Sequence, residues 1–198
     1  MATSTSLSVL GIAPLADAVR EAVRQSNEPG TTADLVARQL RRHLPAADVL
    51  TAEQRLGDAH RYAQHVLHVE PDGGFSIVAV VWRPGQETPI HDHISWCVVG
   101  VVEGFEHETV FSLREAAGER WLVAAGTTEN GPGSVSAFAP PGDIHYVRNG
   151  GPDTAISVHI YGADISKRGS SIRRCYDLPI RPKTAAILSS FQVGALPS

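Results

Sequence analysis

Three histidines carry the chemistry this sequence offers. His91 and His93 are one residue apart within Pro89–Gly104, PIHDHISWCVVGVVEG, and His145 lies in a matching stretch, Pro140–Asn149, PPGDIHYVRN. On an extended strand the side chains alternate with period two, so a His-x-His pair projects both rings to one side. Two such ligands do not close a metal site. A third from a neighbouring strand completes one face and leaves the other open. Imidazole suits iron, zinc, copper and nickel alike, so the ligand set by itself leaves the metal open.

A second constellation is Ser157-Val158-His159-Ile160-Tyr161, which puts Ser, His and Tyr on one side of a strand. His159 between two hydroxyls fixes their hydrogen bonds and orients the Tyr161 phenol. The competing reading is a satisfied polar row inside a barrel. Three histidines nearby favour the functional one.

These side chains need short strands to hold them. From Arg61 the apolar period is two: Tyr62–Val69 alternates, Asp72-Gly73-Gly74 makes a turn, and Phe75–Trp82, FSIVAVVW, is a strongly apolar strand broken by Arg83-Pro84-Gly85. Trp96–Val102, His107–Leu113, Arg120–Ala125, Ser134–Ala139, His145–Arg148 and Ala155–Tyr161 continue the series. Such spacing without long helices between predicts a closed antiparallel barrel or jelly roll. Ahead of it, residues 1–11 read as a loose tail. Pro14–Gln25 reads as a helix ended by Pro29-Gly30, and Ala33–His43 as a second helix capped by Thr31 or Thr32. Thr51 with Glu53 and Gln54 starts one more turn. The expected organisation is one domain: a helical preface over 1–60 packed on a barrel over 61–165, then an extension over 166–198, in which Pro179–Ser198 wraps the barrel or frays.

The totals exclude several classes. Net charge is −4 over 198 residues, so neither nucleic acid nor an anionic membrane is an expected partner. Two cysteines make no disulfide framework and fit a reducing compartment. The short apolar patch Leu7–Ala16 has no basic residue ahead of it and does not read as a signal peptide, so a cytoplasmic location is expected.

The histidine stretches closely resemble the two halves of the cupin signature. Gly85, His91, His93 and Gly104 match the first, and Pro140, Gly142, His145 and Asn149 the second, with Ser134 where the second usually opens with glycine. Cupins usually carry a Glu ligand after the pair; Cys97 stands there. With the Ser-x-His-x-Tyr row, the chain resembles the thiol dioxygenases, a family that includes cysteine dioxygenase and 3-mercaptopropionate dioxygenase. The resemblance implies a mainly β fold, a cupin (a jelly-roll-like antiparallel β-barrel) with an N-terminal helical segment. It also implies Fe(II) on His91, His93 and His145, an outer triad of Ser157, His159 and Tyr161, and insertion of both atoms of O2 into a thiol sulfur to give a sulfinate. Three neutral ligands leave the metal its full charge, which suits an anionic thiolate. The partners implied are a small thiol and O2, with the oligomeric state open.

For the thiol, Gln64 stands where mammalian-type cysteine dioxygenases carry Arg, and the bacterial 3-mercaptopropionate enzymes resemble this chain more closely there. An amide offers one or two hydrogen bonds where a guanidinium pairs bidentately, so the exchange is not conservative. Gly162-Ala163 replaces the Ser-Pro of the mammalian type. Arg173-Arg174 resembles a bacterial Arg pair, so Arg174 is a candidate source of positive charge. Cys97 points the other way, since mammalian-type enzymes have Cys there, able to cross-link to the triad Tyr. A small buried core residue is the reading favoured for Cys97, with a Cys97–Tyr161 thioether as the alternative. Gln64, Tyr161 and Arg174 are the expected substrate contacts. 3-Mercaptopropionate is preferred over L-cysteine. A different cupin metalloenzyme and a metal-binding sensor are the remaining alternatives. Trp82 and Trp96 read as core, His68 as inward-facing, and Asp92 as pointing away from the ligands.

Overall fold

The computed structural model describes residues 4–183. Two helices open the chain, α1 (Ser4–Arg24) and α2 (Pro29–His43), followed by a 3-10 turn at Ala47–Val49 and a single turn α3 (Ala52–Arg55). Ten strands follow: β1 (Ala63–Val69), β2 (Ser76–Trp82), β3 (His91–His93), β4 (Cys97–Glu103), β5 (Glu106–Ala116), β6 (Glu119–Asn130), β7 (Val135–Phe138), β8 (His145–Arg148), β9 (Ala155–Tyr161) and β10 (Ile172–Cys175). A short helix α4 (Ile165–Arg168) precedes β10. The strands form two five-stranded sheets, ordered β1-β2-β9-β4-β7 and β10-β3-β8-β5-β6, with antiparallel pairing throughout. The fold is thus mainly β with N-terminal helices, as the strand spacing predicts.

The helical preface differs from the sequence reading in two ways. α1 runs through Pro14 from Ser4, where residues 1–11 had suggested a tail and Pro14 a start. Inside a helix a proline removes one backbone hydrogen bond and crowds the carbonyl four residues back; Pro14 is exposed, while Ile12, Leu15 and Val19 beside it on α1 are buried. Pro29 does not end a helix; it occupies the first turn of α2, where its missing N–H is an orphan anyway. Glu28, not Thr31 or Thr32, caps α2, its carboxylate accepting from the Gly30 and Thr31 amides at 3.0 and 2.5 Å. Thr51 caps α3 in a reciprocal pairing with Gln54. The stretch after Lys183 lies outside the described residues; before it, Ile180 bridges Leu122 of β6 in parallel.

Alternation within β9 explains the layering. Val158 and Ile160 point outward into a core with Ile77 and Val98 from the same sheet, Leu15 and Val19 of α1, and Val36 and Leu40 of α2. Ser157, His159 and Tyr161 point the other way, between the sheets. With helices on one face and the barrel interior on the other, every β2 and β9 residue is buried. A strand buried on both faces reads as a continuous apolar run, which is what FSIVAVVW is. Gly100 in β4 lets α2 close: a Cβ there would stand 2.7 Å from Leu44 Cδ1 and 2.9 Å from Leu40 Cδ2. Arg20 of α1 clamps the β1–β2 turn through Glu70, at 2.6 and 3.0 Å. Glu70 also holds His68 at 3.1 Å, so His68 serves this turn rather than facing the barrel interior.

Candidate metal centre and its cavity

β3 is only three residues long, yet it is paired on both sides. His91 is the direct partner of His145 on β8, and His93 follows one pleat later. The three rings form a near-regular triangle with centroids 4.7–4.9 Å apart. One ligand atom from each lies within 4.8 Å of the others, and all three residues are buried.

Each Nδ1 is already engaged. That of His91 bonds the Pro89 carbonyl at 2.9 Å, that of His93 bonds Asp143 at 3.0 Å, and that of His145 bonds Glu108 at 2.5 Å. These acceptors fix Nδ1–H tautomers and leave every Nε2 lone pair free for an ion. Burial and the neighbouring imidazoles hold His91 at about 3, and burial with His93 does the same for His145. Both are therefore neutral and competent to ligate across the physiological range. A donor set of convergent neutral nitrogens with saturated outer partners fits a transition-metal ion.

The centre opens on a cavity of about 660 Å³. Its wall includes Gln64, His159 and Tyr161 as well as the three ligands, so most of the residues picked out by spacing meet there. Ser157 lies just behind, its hydroxyl 2.9 Å from His159 Nε2, while His159 Nδ1 is 3.0 Å from the Tyr161 hydroxyl. Burial, reinforced by the metal-site imidazoles, keeps His159 neutral at about 3. Cys97 is fully buried and is the direct cross-strand partner of Tyr161. Burial, with Glu108 and Asp143 nearby, pushes its thiol up, and burial with Cys97 pushes the Tyr161 phenol up.

Arg174 is not in this assembly. A bulge between Ile172 and Arg174 lets both Arg173 and Arg174 reach the outer side of β3, where they bond the Asp92 carboxylate at 2.6 and 2.8 Å. Tyr176 adds a third donor at 2.7 Å. Burial opposes ionisation of Asp92, but the hydrogen bonds from Arg173, Arg174 and Tyr176 prevail and hold it far below the usual carboxylate range. Asp92 does point away from the ligands, and it ties β10 to the ligand strand. Asp92→Ala leaves two guanidiniums without their buried partner. Because those arms are partly exposed, a loss of about 2–3 kcal/mol is expected by urea denaturation, with reduced metal retention.

Five residues have roles here that their sequence context does not signal. Glu106 and Glu108, two apart on β5, are buried carboxyls on the cavity wall; burial raises both to about 7. Asp143 receives the backbone N–H of His93 as well as its ring. Trp82, read as core, is also cavity wall: its indole donates to Ser157 at 3.1 Å and packs on Tyr62 at 4.6 Å. Arg61 supplies the one guanidinium among the described residues lining the cavity.

Comparison with solved structures returns matches at low identity. A double-stranded β-helix domain protein from Klebsiella pneumoniae matches at 18% identity and TM-score 0.45, over 58% of this chain and 84% of its own. A recombinant oxalate oxidase in complex with glycolate matches at 16% and 0.41, over 54% of this chain, which spans only 53% of that enzyme. The cupin domain of a transcriptional regulator from Enterobacter cloacae matches at 18% and 0.36, over 51% of this chain and 95% of its own. No helix among the described residues is long and apolar enough to cross a membrane. The family model for cysteine dioxygenase type I matches residues 1–168, covering both histidine stretches and the Ser-His-Tyr row, and the chain belongs to that family.

Proposed function

We propose that the chain is a mononuclear non-haem iron(II) thiol dioxygenase that converts a small thiol acid to its sulfinate, with 3-mercaptopropionate as the favoured substrate. The observation that carries the reading is the ligand set: three imidazoles facing one cavity, with Cys97 where a carboxylate ligand would complete an ordinary cupin site. Iron(II) in such a set keeps its full charge and supplies a site for a thiolate and for O2. The protein's own residues do the rest. His159 and Ser157 hold the Tyr161 hydroxyl in place for the substrate carboxylate. Gln64 offers amide hydrogen bonds at the cavity edge, and Arg61 adds positive charge there. Val80, Val99 and Val101 keep the thiol end dry.

Thiol-dependent O2 uptake by the iron(II)-loaded chain, with sulfinate identified as product, is the deciding experiment. Uptake with neither 3-mercaptopropionate nor L-cysteine would remove the reading. A large preference for L-cysteine would overturn only the Gln64 argument.

One observation favours the L-cysteine alternative. Cys97 faces Tyr161 in direct register within one buried cluster, as a thioether between Sγ and the phenol ring requires. On that alternative, the intact chain loses two hydrogens in mass after turnover with iron, thiol and O2, the two electrons passing to O2. Cys97→Ser removes that species. An unchanged mass after many turnovers would leave Cys97 as core packing alone.

A further inference from the structure

A thiol acid brings a carboxylate into a cavity whose wall is already rich in acids. Asp58, Glu106 and Glu108 line it, and Arg61 is the one guanidinium that does so among the described residues. His91, His145 and His159 are neutral and offset none of that charge. A carboxylate entering such a site without a cation beside it meets repulsion and loses hydration.

Arg61 is placed to supply the cation, on backbone that is fixed. Asp58 Oδ1 accepts the amides of His60 and Arg61 at 2.7 and 3.3 Å. The Asp58 carbonyl accepts from the Gln86 side chain at 2.9 Å, and Gln86 Oε1 accepts the Arg83 amide at 2.8 Å, so the segment is tied to the turn after β2. The next residue, Tyr62, packs on Trp82 with ring centroids 4.6 Å apart. Two residues further on, Gln64 registers against Val80 and lines the same cavity.

The Arg61 side chain, by contrast, is uncommitted. It is exposed and pairs with no carboxylate among the described residues, whereas Arg20, Arg55, Arg173, Arg174 and Arg181 each hold an acid at 2.6–2.8 Å. A free guanidinium on a fixed base, facing a cavity, suits the carboxylate of a ligand, which it pairs bidentately. Gln64 and the Tyr161 hydroxyl add neutral hydrogen bonds there but no charge.

We propose that Arg61 is the residue that selects a carboxylate-bearing substrate, pairing with that carboxylate on the open side of the cavity. The anion site stands on the cavity alone; that the anion belongs to a thiol rests on the thiol dioxygenase reading.

The test begins with propionate, a carboxylate with no thiol, titrated into the metal-free full chain and followed by NMR of the Arg61, Tyr62 and Gln64 amides and the Arg61 Nε–H. These signals are expected to shift saturably with propionate and to stay in place with propionamide, its neutral counterpart. Arg61→Gln is expected to weaken propionate binding about 10-fold: charge-assisted hydrogen bonds contribute about 10–100-fold, and exposure of the side chain places this one at the lower end. In the iron-loaded enzyme the same substitution should raise KM for 3-mercaptopropionate by about 10-fold with a smaller change in kcat, and Arg61→Lys should recover part of it. KM for the neutral 3-mercaptopropanol should move by less than about threefold. Signals that ignore propionate, or that shift equally with propionamide, overturn the proposal. So does an Arg61→Gln chain that binds propionate like the wild type, or a KM that rises alike for both thiols. The wild-type titration decides even if a variant fails to fold. Because propionate binding needs neither iron nor O2, the fate of the anion site is read separately from an absence of thiol-dependent O2 uptake.

Discussion

Replacing His145 with alanine is expected to reduce iron from about one per chain to a trace and thiol-dependent O2 uptake by at least about a thousandfold. The metal site has three imidazoles and no further His, Cys or carboxylate among the described residues completes it. Excess iron should therefore not rescue the variant. Glu108→Gln provides the contrast. It keeps the volume beside His145 but puts a neutral amide, which accepts more weakly through its one oxygen, where the carboxyl fixes the Nδ1–H tautomer at 2.5 Å. Outer partners of this kind contribute about 10–100-fold to metal affinity, so this variant should load at higher iron and regain most activity. Iron content by elemental analysis, set beside uptake rates across an iron titration, separates the two. A His145→Ala chain that retains stoichiometric iron would mean that the three histidines are not the ligands.

The second large effect is an acid collapse of the metal-free protein confined to a narrow window. His91, His145 and His159 are held at about 3 by burial, against an ordinary value of 6.5. Their depressed folded values give stability that is present above 6.5 and lost as the pH falls. Each removes about 1.4 kcal/mol per pH unit below that point. Glu106 and Glu108 run the opposite way. Raised from 4.5 to about 7, they take up protons in the folded state first and return stability between pH 7 and 4.5. Three groups against two leave a slope of only about 1.4 kcal/mol per unit down to pH 4.5. Below that the carboxyls are protonated in both states and their help ends. The three imidazoles then act together at about 4 kcal/mol per unit, and Asp92, held low by its arginines, adds to the loss. Urea midpoints measured in chelator from pH 8 to pH 3 should show a gentle decline and then a break near pH 4.5. A steep loss already at pH 6 would mean that the carboxyls do not compensate.

Much of the site was legible because its information is local. His-x-His and Ser-x-His-x-Tyr need only the period of two, and His145 needs only the Pro-Gly turn ahead of it. The outer partners were not legible, because each reaches its histidine across strand pairings that no local pattern fixes: Glu108 through β5 against β8, and Asp143 through the loop before β8. One signal was present. Glu106 and Glu108 recur at i and i+2 on a barrel strand, and two acids on one side of such a strand must either face solvent or be held for use. Arg174 was misplaced for a related reason. A one-residue bulge reverses the side a strand residue faces, and the bulge in β10 leaves no mark in the residue types. The helix starts erred where proline and threonine signals were read singly. Glu28, a residue outside the usual capping set, had the reach to satisfy two amides.

The tie between Asp92 and β10 has a wider consequence. Ile172, Arg174 and Cys175 register against His93, Asp92 and His91, so the last described strand is hydrogen-bonded to the ligand strand itself. Metal occupancy and strand attachment are then linked equilibria, and linkage is reciprocal. Whatever factor the ion contributes to keeping β10 docked, the docked strand returns to the ion. The chain from Ser171 to Tyr176 thus behaves as a fourth, non-coordinating partner of the metal. Its backbone amides should exchange with deuterium more slowly in the loaded protein than in the stripped one, and loosening the strand from outside would release the ion without touching a ligand.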